Sequence, residues 1–413
     1  MVVNLLLVII SLAIILFGFG IWSFISIVGV TIISFYAAKR LRSKHKKLIF
    51  ILSMILATGF LIAMKALPIA YNETNSAQVF LAPFGITYYM MQVISYMIDV
   101  YKAETEPETN LIKYALYTTY VPHLFVGPVY DYNTAIDNLI GEKDFSWRNV
   151  VEGVLRAAWG GFKIFVIANR IAVLTNSVNG MPTGGAYVVF GMLLYGIQIY
   201  CAFSGGIDVA LGVSKIFDIE LPENFNSPFL AESVSEFWER FQTTIVGWVK
   251  KYIFKSSRKK KATTTRKIFN VLFSFFMIGF LLGNEFIIWA IINGVLTLVG
   301  TKLKTKYKAL NRFLTYIALS FTWIFLIWPN GLQAISKLAS IFTVHNLRTA
   351  FISIFNLGLK PYEYLILLFA FIALFVIDNN IEKVRNEIRT GAMKFHYVLI
   401  AILALVTLFL GVN

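Results

Sequence analysis

The chain has 413 residues, 58% of them hydrophobic and 16% aromatic, with only 14% charged and 37 Lys and Arg against 22 Asp and Glu. A water-soluble protein of this length needs far more polar surface, so the composition excludes a soluble enzyme and defines a polytopic, all-α membrane protein. One cysteine, Cys201, excludes an intramolecular disulfide, and four scattered histidines (His45, His123, His345, His396) lack metal-ligand spacing, so no metal or bound cofactor is expected.

No Lys or Arg precedes the first apolar run, which continues through Tyr36 and so reads as membrane sequence rather than a cleaved signal. At roughly 20 apolar residues per crossing, the predicted segments are 3–37 (with Gly18 and Gly20 marking a break), 48–66, 78–99, 110–128, 150–176, 183–203, 268–283, 285–300, 313–328, 361–377 and 395–411. That is about eleven transmembrane segments, with shorter apolar pieces at 205–217, 335–343 and 348–357 read as re-entrant or interfacial. No repeat, linker or soluble domain interrupts them, so residues 1–413 are expected to form a single membrane-embedded domain.

The formal charge of +15 is concentrated in four loops, 39–47, 250–267, 302–312 and 383–394. Basic loops at segment ends obey the positive-inside rule, which places all four in the cytoplasm of a multi-pass protein of the cell membrane. Their partners are anionic lipid headgroups, and nothing resembles a nucleic-acid-binding module. Residues 66–77 and 329–347 carry little positive charge and are expected outside.

Three polar, aromatic segments interrupt the apolar sequence. The first comprises Pro83-Phe84-Gly85-Ile86-Thr87-Tyr88-Tyr89 and Ser95-Tyr96-Met97-Ile98-Asp99-Val100-Tyr101. The second is Tyr120-Val121-Pro122-His123-Leu124-Phe125-Val126-Gly127-Pro128-Val129. The third starts at Phe203-Ser204-Gly205-Gly206-Ile207-Asp208 and ends in a polar island, residues 221–248. Pro and Gly at bilayer depth free backbone groups, which is tolerated only inside protein or around a water-filled cavity. Buried polar groups at such depth mark a site.

In this order, the segments resemble the membrane-bound O-acyltransferases of the bacterial alginate O-acetyltransferase type, with the branch that D-alanylates teichoic acids a near relative. The resemblance covers roughly residues 66–345, anchored by 83–101, 120–128, 203–208, 222–226, Glu236-Phe237-Trp238-Glu239-Arg240 and Trp248. The stretch 334–342 resembles the family's segment past a Phe-Phe-Arg-Ala motif, which reads Ile327-Trp328-Pro329-Asn330 here. It implies a funnel-and-tunnel helical fold. It also implies an acyl group, acetyl or similar, drawn from a cytoplasmic thioester (acetyl-CoA or an acyl-carrier protein). The implied acceptors are hydroxyls of a cell-surface or exported polysaccharide or teichoic acid, and an extracytoplasmic transferase is the implied partner.

The family's catalytic base is a buried histidine in Gly-Leu-Trp-His-Gly, suited to take the proton of an attacking hydroxyl. Here the motif falls on Gly279-Phe280-Leu281-Leu282-Gly283, and Leu282 stands in the histidine's place. Two further histidine positions fall on Gln242 in Arg240-Phe241-Gln242 and on Asn293 in Trp289-Ala290-Ile291-Ile292-Asn293-Gly294. Gln242 and Asn293 orient hydroxyls and carbonyls but are not bases at neutral pH. His123 is the substitute base nearest to the polar segments, or else a structural histidine beside a Pro-Gly break. A family member without turnover, kept as a scaffold or as a lipid- or glycan-binding partner, is therefore the alternative to an active acyltransferase.

The candidate framework is Asp208, Asn224, Asn226, Glu236, Trp238 and Arg240. Asp208 follows two glycines in apolar sequence and needs a partner within the bundle, as an ion pair or as part of a site. Glu236, Glu239 and Arg240 share a helix face and can pair among themselves. Asp99 reads as an interfacial cap.

Overall fold

The computed structural model describes residues 2–70, 85–141, 143–180, 185–254, 263–282, 286–300, 305–328, 330–342, 355, 357–380 and the single positions 383, 390, 402 and 406. Among these the protein is helical throughout, and the strand-like element is an isolated bridge between Phe225 and Phe241. The helices form two compact units.

The first unit comprises residues 1–146, 217–223 and 247–256. Its helices are α1 (Val2–Arg40), α2 (Lys46–Ala70), α3 (Gly85–Tyr101), α4 (Leu111–Thr119), α5 (Val121–Val126) and α6 (Tyr132–Ala135), the last extended by a π-turn over Ile136–Ile140. Helix α1 is kinked at Gly20, whose φ of 83° and ψ of 168° suit a residue without Cβ, in agreement with the predicted break. The predicted span 110–128 is instead two short helices. Tyr120 leaves helical geometry at ψ 109°, and Pro122, which has no amide hydrogen, starts a new first turn in α5. Tyrosines whose hydroxyls find partners fill the core: Tyr89 donates to the Ile27 carbonyl at 3.0 Å and Tyr114 to Ser34 Oγ at 2.8 Å.

The second unit comprises residues 147–216, 224–246 and 257–413. Helix α7 (Trp147–Gly161) passes through a π-turned segment, Phe162–Ala168, into α8 (Asn169–Asn179). Helix α9 (Ala186–Ile216) is followed by α10 (Val234–Arg240) and α11 (Thr243–Val249), whose last turn belongs to the first unit. Then come α12 (Thr264–Leu282), α13 (Ile287–Gly300), α14 (Lys308–Ile327), α15 (Gly331–Ser340) and α16 (Pro361–Asn379).

Gly205 and Gly206, expected to interrupt a helix, lie inside α9, and the separate piece predicted at 205–217 is its last three turns. The glycines serve close approach instead. A Cβ on Gly160 would lie 2.4 Å from the Gly205 carbonyl oxygen, and one on Gly212 would lie 2.5 Å from that of Gly153. Helices α7 and α9 therefore cross in an antiparallel sense, backbone against backbone, along a small-residue seam of the kind that drives helix association in lipid.

Six described helices are long and apolar enough to cross a membrane: Val2–Arg40, Lys46–Ala63, Trp147–Asn179, Tyr187–Ile216, Lys308–Ile327 and Pro361–Asp378, with Ile287–Gly300 a shorter apolar helix. Apolar side chains such as Phe17 and Trp22 on α1 are 86% and 73% exposed, as a lipid-facing surface requires. The predicted segment at 395–411 lies almost wholly outside the described residues, as does 348–357. The protein is thus an all-α, multi-pass membrane protein.

Replacing Gly160 with Ala is expected to destabilise the second unit by about 1–3 kcal/mol, the usual range for overpacking. The melting temperature of the detergent-solubilised protein should fall accordingly, whereas Gly59→Ala, with nothing within 4 Å of the added Cβ, should leave it unchanged.

Candidate functional site

The glycine seam places three charged side chains together. Arg156 and Lys163 each follow a seam glycine by three residues, and Asp208 lies between Gly205 and Gly212. Asp208 Oδ1 accepts from Arg156 Nη2 at 3.0 Å and Nε at 3.2 Å, while Lys163 Nζ lies 2.5 Å from Oδ2. Lys163 Nζ also donates to Ser204 Oγ at 2.9 Å and sits over the rings of Trp159 and Tyr200, 5.8 and 5.7 Å from their centroids. The partner expected for Asp208 is therefore two cations. Neither was singled out from the sequence, although the shared seven-residue spacing of Gly153–Gly160 and Gly205–Gly212 is a signal that aligns all three.

The polar island folds back on itself as a corner. Ser233 Oγ caps α10 by accepting from the Glu236 amide at 3.2 Å, and Glu236 Oε2 accepts from the Glu232 amide at 3.0 Å. Arg240 donates to Glu236 Oε1 through Nε and Nη2 at 3.1 and 2.9 Å. Asn226 joins through its backbone, its amide donating to the Arg240 carbonyl at 2.9 Å, and its side chain is exposed. Asn224 is fully buried and locks the turn between α10 and α11. Its Nδ2 donates to Gln242 Oε1 at 2.8 Å, and its Oδ1 accepts from the Thr244 amide at 3.0 Å. Gln242 is held at φ 57°, a left-handed conformation uncommon for a residue with a side chain. The rings of Phe225 and Phe241 pack edge to face at 4.9 Å across this corner.

Beside the corner lies an aromatic cluster from three further helices. Trp238 meets Trp289 edge to face at 5.4 Å and Phe275 at 5.8 Å, and Trp289 stacks on Trp323 at 5.5 Å. Asn293, one turn beyond Trp289 in α13, donates Nδ2 to the Trp289 carbonyl at 2.9 Å. The indole nitrogens of Trp238 and Trp289 and Oδ1 of Asn293 are buried with no hydrogen-bond partner among the described residues. Leu282 is the last residue of α12. No histidine occurs among the described residues of this unit, because His345 and His396 lie outside them.

The first unit carries its own polar network. Lys251 Nζ lies 3.2 Å from Asp99 Oδ2 and 2.9 Å from Asp131 Oδ2, and the Tyr252 hydroxyl donates to Asp99 Oδ2 at 2.7 Å. Asp99 is thus a buried ion-pair partner rather than the interfacial cap expected, because Lys251 and Tyr252 reach it from the segment after α11. Burial raises the Asp131 carboxyl, but hydrogen bonds from Lys251 and Thr134 more than offset this and hold it below the ordinary carboxylate range. Glu108 is also held low. Burial raises it, but the Tyr132 hydroxyl and the Asn110 and Thr109 amides outweigh that effect. His123 is fully buried in the same unit, with Nδ1 2.8 Å from the Tyr130 hydroxyl and Nε2 without a partner among the described residues. The other candidates, Asp208, Asn224, Asn226, Glu236, Trp238, Arg240, Gln242 and Asn293, belong to the second unit.

This multi-pass helical protein thus buries charged and amide clusters inside its helical units, where unpaired polar groups are costly. The pattern of the membrane-bound O-acyltransferase family matches residues 14–342, and the chain belongs to that family. It is 31% identical over 219 residues to a probable alginate O-acetylase of Azotobacter vinelandii, covering 52% of this chain and 43% of that protein. It is 26% identical over 284 residues to the peptidoglycan O-acetyltransferase of Helicobacter pylori, covering 59% and 53%. A third similarity, 24% over 267 residues, is to the teichoic acid D-alanyltransferase of Bacillus subtilis and covers 58% and 66%. The chain spans about half the length of the curated alginate O-acetylases it matches.

Because the folded-state values of Asp131 and Glu108 lie below their unfolded ones, their stabilisation is complete above the unfolded carboxylate range and is lost as pH falls through the folded values. The melting temperature should therefore drop on acidification below about pH 4. Asp131→Asn should make that drop smaller while lowering stability at neutral pH.

Proposed function

We propose that this protein transfers an acyl group, acetyl or similar, from a cytoplasmic thioester to hydroxyls of a cell-surface or exported polysaccharide or teichoic acid. Acetyl-CoA or an acyl-carrier protein is the donor, and an extracytoplasmic transferase completes the modification. The observation that carries the reading is the set of unpartnered buried groups on Trp238, Trp289 and Asn293. A buried donor or acceptor left unpaired costs about 1–3 kcal/mol. Two N–H donors beside one amide oxygen suit a ligand that presents both a carbonyl and a hydroxyl. Donors aimed at a carbonyl stabilise the oxyanion that forms when a hydroxyl attacks it. The amide lock between Asn224 and Gln242 fixes the neighbouring corner, so positioning comes with the fold.

A second reading is favoured by one residue. Leucine at 282 has no lone pair with which to accept a proton, so a chain that relied on that position binds acyl donor or glycan without turnover and serves as a scaffold. Loss of a general base costs about 10²–10⁴-fold, so orientation alone still leaves a slow enzyme.

Base-labile acyl groups on the surface polymer, counted in a deletion strain carrying the full-length gene, separate the two. Restoration by the wild-type chain supports transfer, with Trp289→Phe lowering it by about tenfold or more, as expected for loss of one carbonyl donor. Acylation seen only after Leu282→His would support the non-catalytic reading.

A further inference from the structure

We propose that α15 lies in the plane of the outer membrane boundary, with Leu332, Ile335 and Phe342 seated among the acyl chains of the outer leaflet. This contact with lipid is independent of acyl transfer.

The depth of α15 follows from α14. Helix α14 starts at Lys308, inside the basic loop 302–312 that the positive-inside rule puts in the cytoplasm. Its 20 residues rise about 30 Å, the thickness of the hydrocarbon core, so Ile327 and Trp328 reach the outer boundary. The chain leaves helical geometry at Trp328, where ψ is 91°, and Asn330 starts α15 by accepting from the Leu332 and Gln333 amides at 3.0 and 3.4 Å. Contacts along its length then lay the new helix across the bundle instead of out into water. A Cβ on Gly331 would lie 3.4 Å from Ile288 Cδ1, in the first turn of α13. Lys337 Nζ lies 5.5 Å from the centroid of the Trp328 ring, back over the end of α14. Near the far end, Ser340 Oγ accepts from the Gly185 amide at 3.2 Å, which ties α15 to the start of α9. Helix α15 therefore bridges the outer ends of α13, α14 and α9, beside the residue that precedes Trp289.

At 3.6 residues per turn the helix presents three sides. Ala334, Lys337, Leu338 and Ile341 form the side toward protein: Ala334 is fully buried and the others are half-buried. Leu332, Ile335 and Ala339, followed by Phe342, form an apolar side, yet Leu332, Ile335 and Phe342 are 80%, 57% and 87% exposed. Gln333 and Ser336 form the remaining side, which is polar and exposed. A helix crossing the hydrocarbon core does not leave polar groups open to lipid, and a helix in water gains nothing from a bare apolar side. One side on protein, one apolar and one polar is the pattern of a helix at the membrane–water boundary, apolar side down. The apolar side also continues a lipid-facing surface already present. Ile288, against which Gly331 packs, is an exposed side chain of α13, and Phe321 is another on α14.

The test is site-directed spin labelling of the full-length chain in vesicles of phosphatidylethanolamine and phosphatidylglycerol. Cys201, the one native cysteine, is buried and is replaced by Ala, so that single labels can be placed at 332, 333, 335, 336 and 342. Oxygen, which concentrates in acyl chains, should relax the labels at 332, 335 and 342 more than a water-soluble nickel chelate does. The order should reverse at 333 and 336. Nickel dominating at every position overturns the assignment and leaves α15 in water; oxygen dominating at every position overturns it and places α15 inside the core. Labels at 332 and 335 shielded from both overturn it in favour of a protein partner or a second copy, the latter shown by spin–spin broadening that dilution with unlabelled chain removes. Melting in lipid nanodiscs gives a check that needs no label and no change at Cys201. Ile335→Glu should lower the melting temperature, whereas Ser336→Glu, on the side facing water, should leave it unchanged. Equal effects of the two substitutions overturn the lipid seat.

Discussion

Asp208 can hold two cations only because α7 and α9 meet backbone to backbone. A side chain at Gly153, Gly160, Gly205 or Gly212 would push the helices apart and lengthen every contact in the cluster. In a bilayer there is little hydrophobic gain from bringing two apolar helices together, so close backbone packing and internal hydrogen bonds supply the attraction. The seam and the ion cluster are therefore one device. The glycines bring the charges within reach, and the paired charges make separation of the helices costly. Lys163 extends the device by placing its ammonium over Tyr200, which connects the seam to the polar island through Phe225 and Phe229.

The island depends on this arrangement for its outer wall and on its own hydrogen bonds for its shape. Asn224 does what a metal or a disulfide does elsewhere. Through Gln242, Thr243 and Thr244 it fixes a turn whose central residue is held in a left-handed conformation. That conformation is tolerated because the surrounding bonds over-determine it, a property that recurs where side chains must be held for function. Arg240, by contrast, is occupied within its own helix by Glu236 and acts as a strut.

Much of this was legible in the amino-acid order, and the rest fails for definable reasons. Periodic apolar runs gave the long helices, and the break at Gly20 followed from glycine alone. The same rule misfired at Gly205 and Gly206, because local sequence does not distinguish a glycine that ends a helix from one that admits a neighbouring backbone. The island stood out as a candidate site because amides and charges are expensive within apolar sequence. Arg156, Lys163 and Tyr200 escaped notice. Each is ordinary within its own helix and acquires meaning only across the α7–α9 crossing. Asp99 was misread for the same reason, since its partners Lys251 and Tyr252 lie about 150 residues away.

The substitution at 282 has a consequence for where the remaining charge must sit. A neutral imidazole serves a membrane-buried site well because it accepts a proton without first carrying a charge that the bilayer penalises. A carboxylate carries that penalty in its resting state and needs a permanent counter-charge. At the seam Asp208 has that counter-charge twice over, in Arg156 and Lys163, and the glycines that let the two helices meet are what bring it within reach.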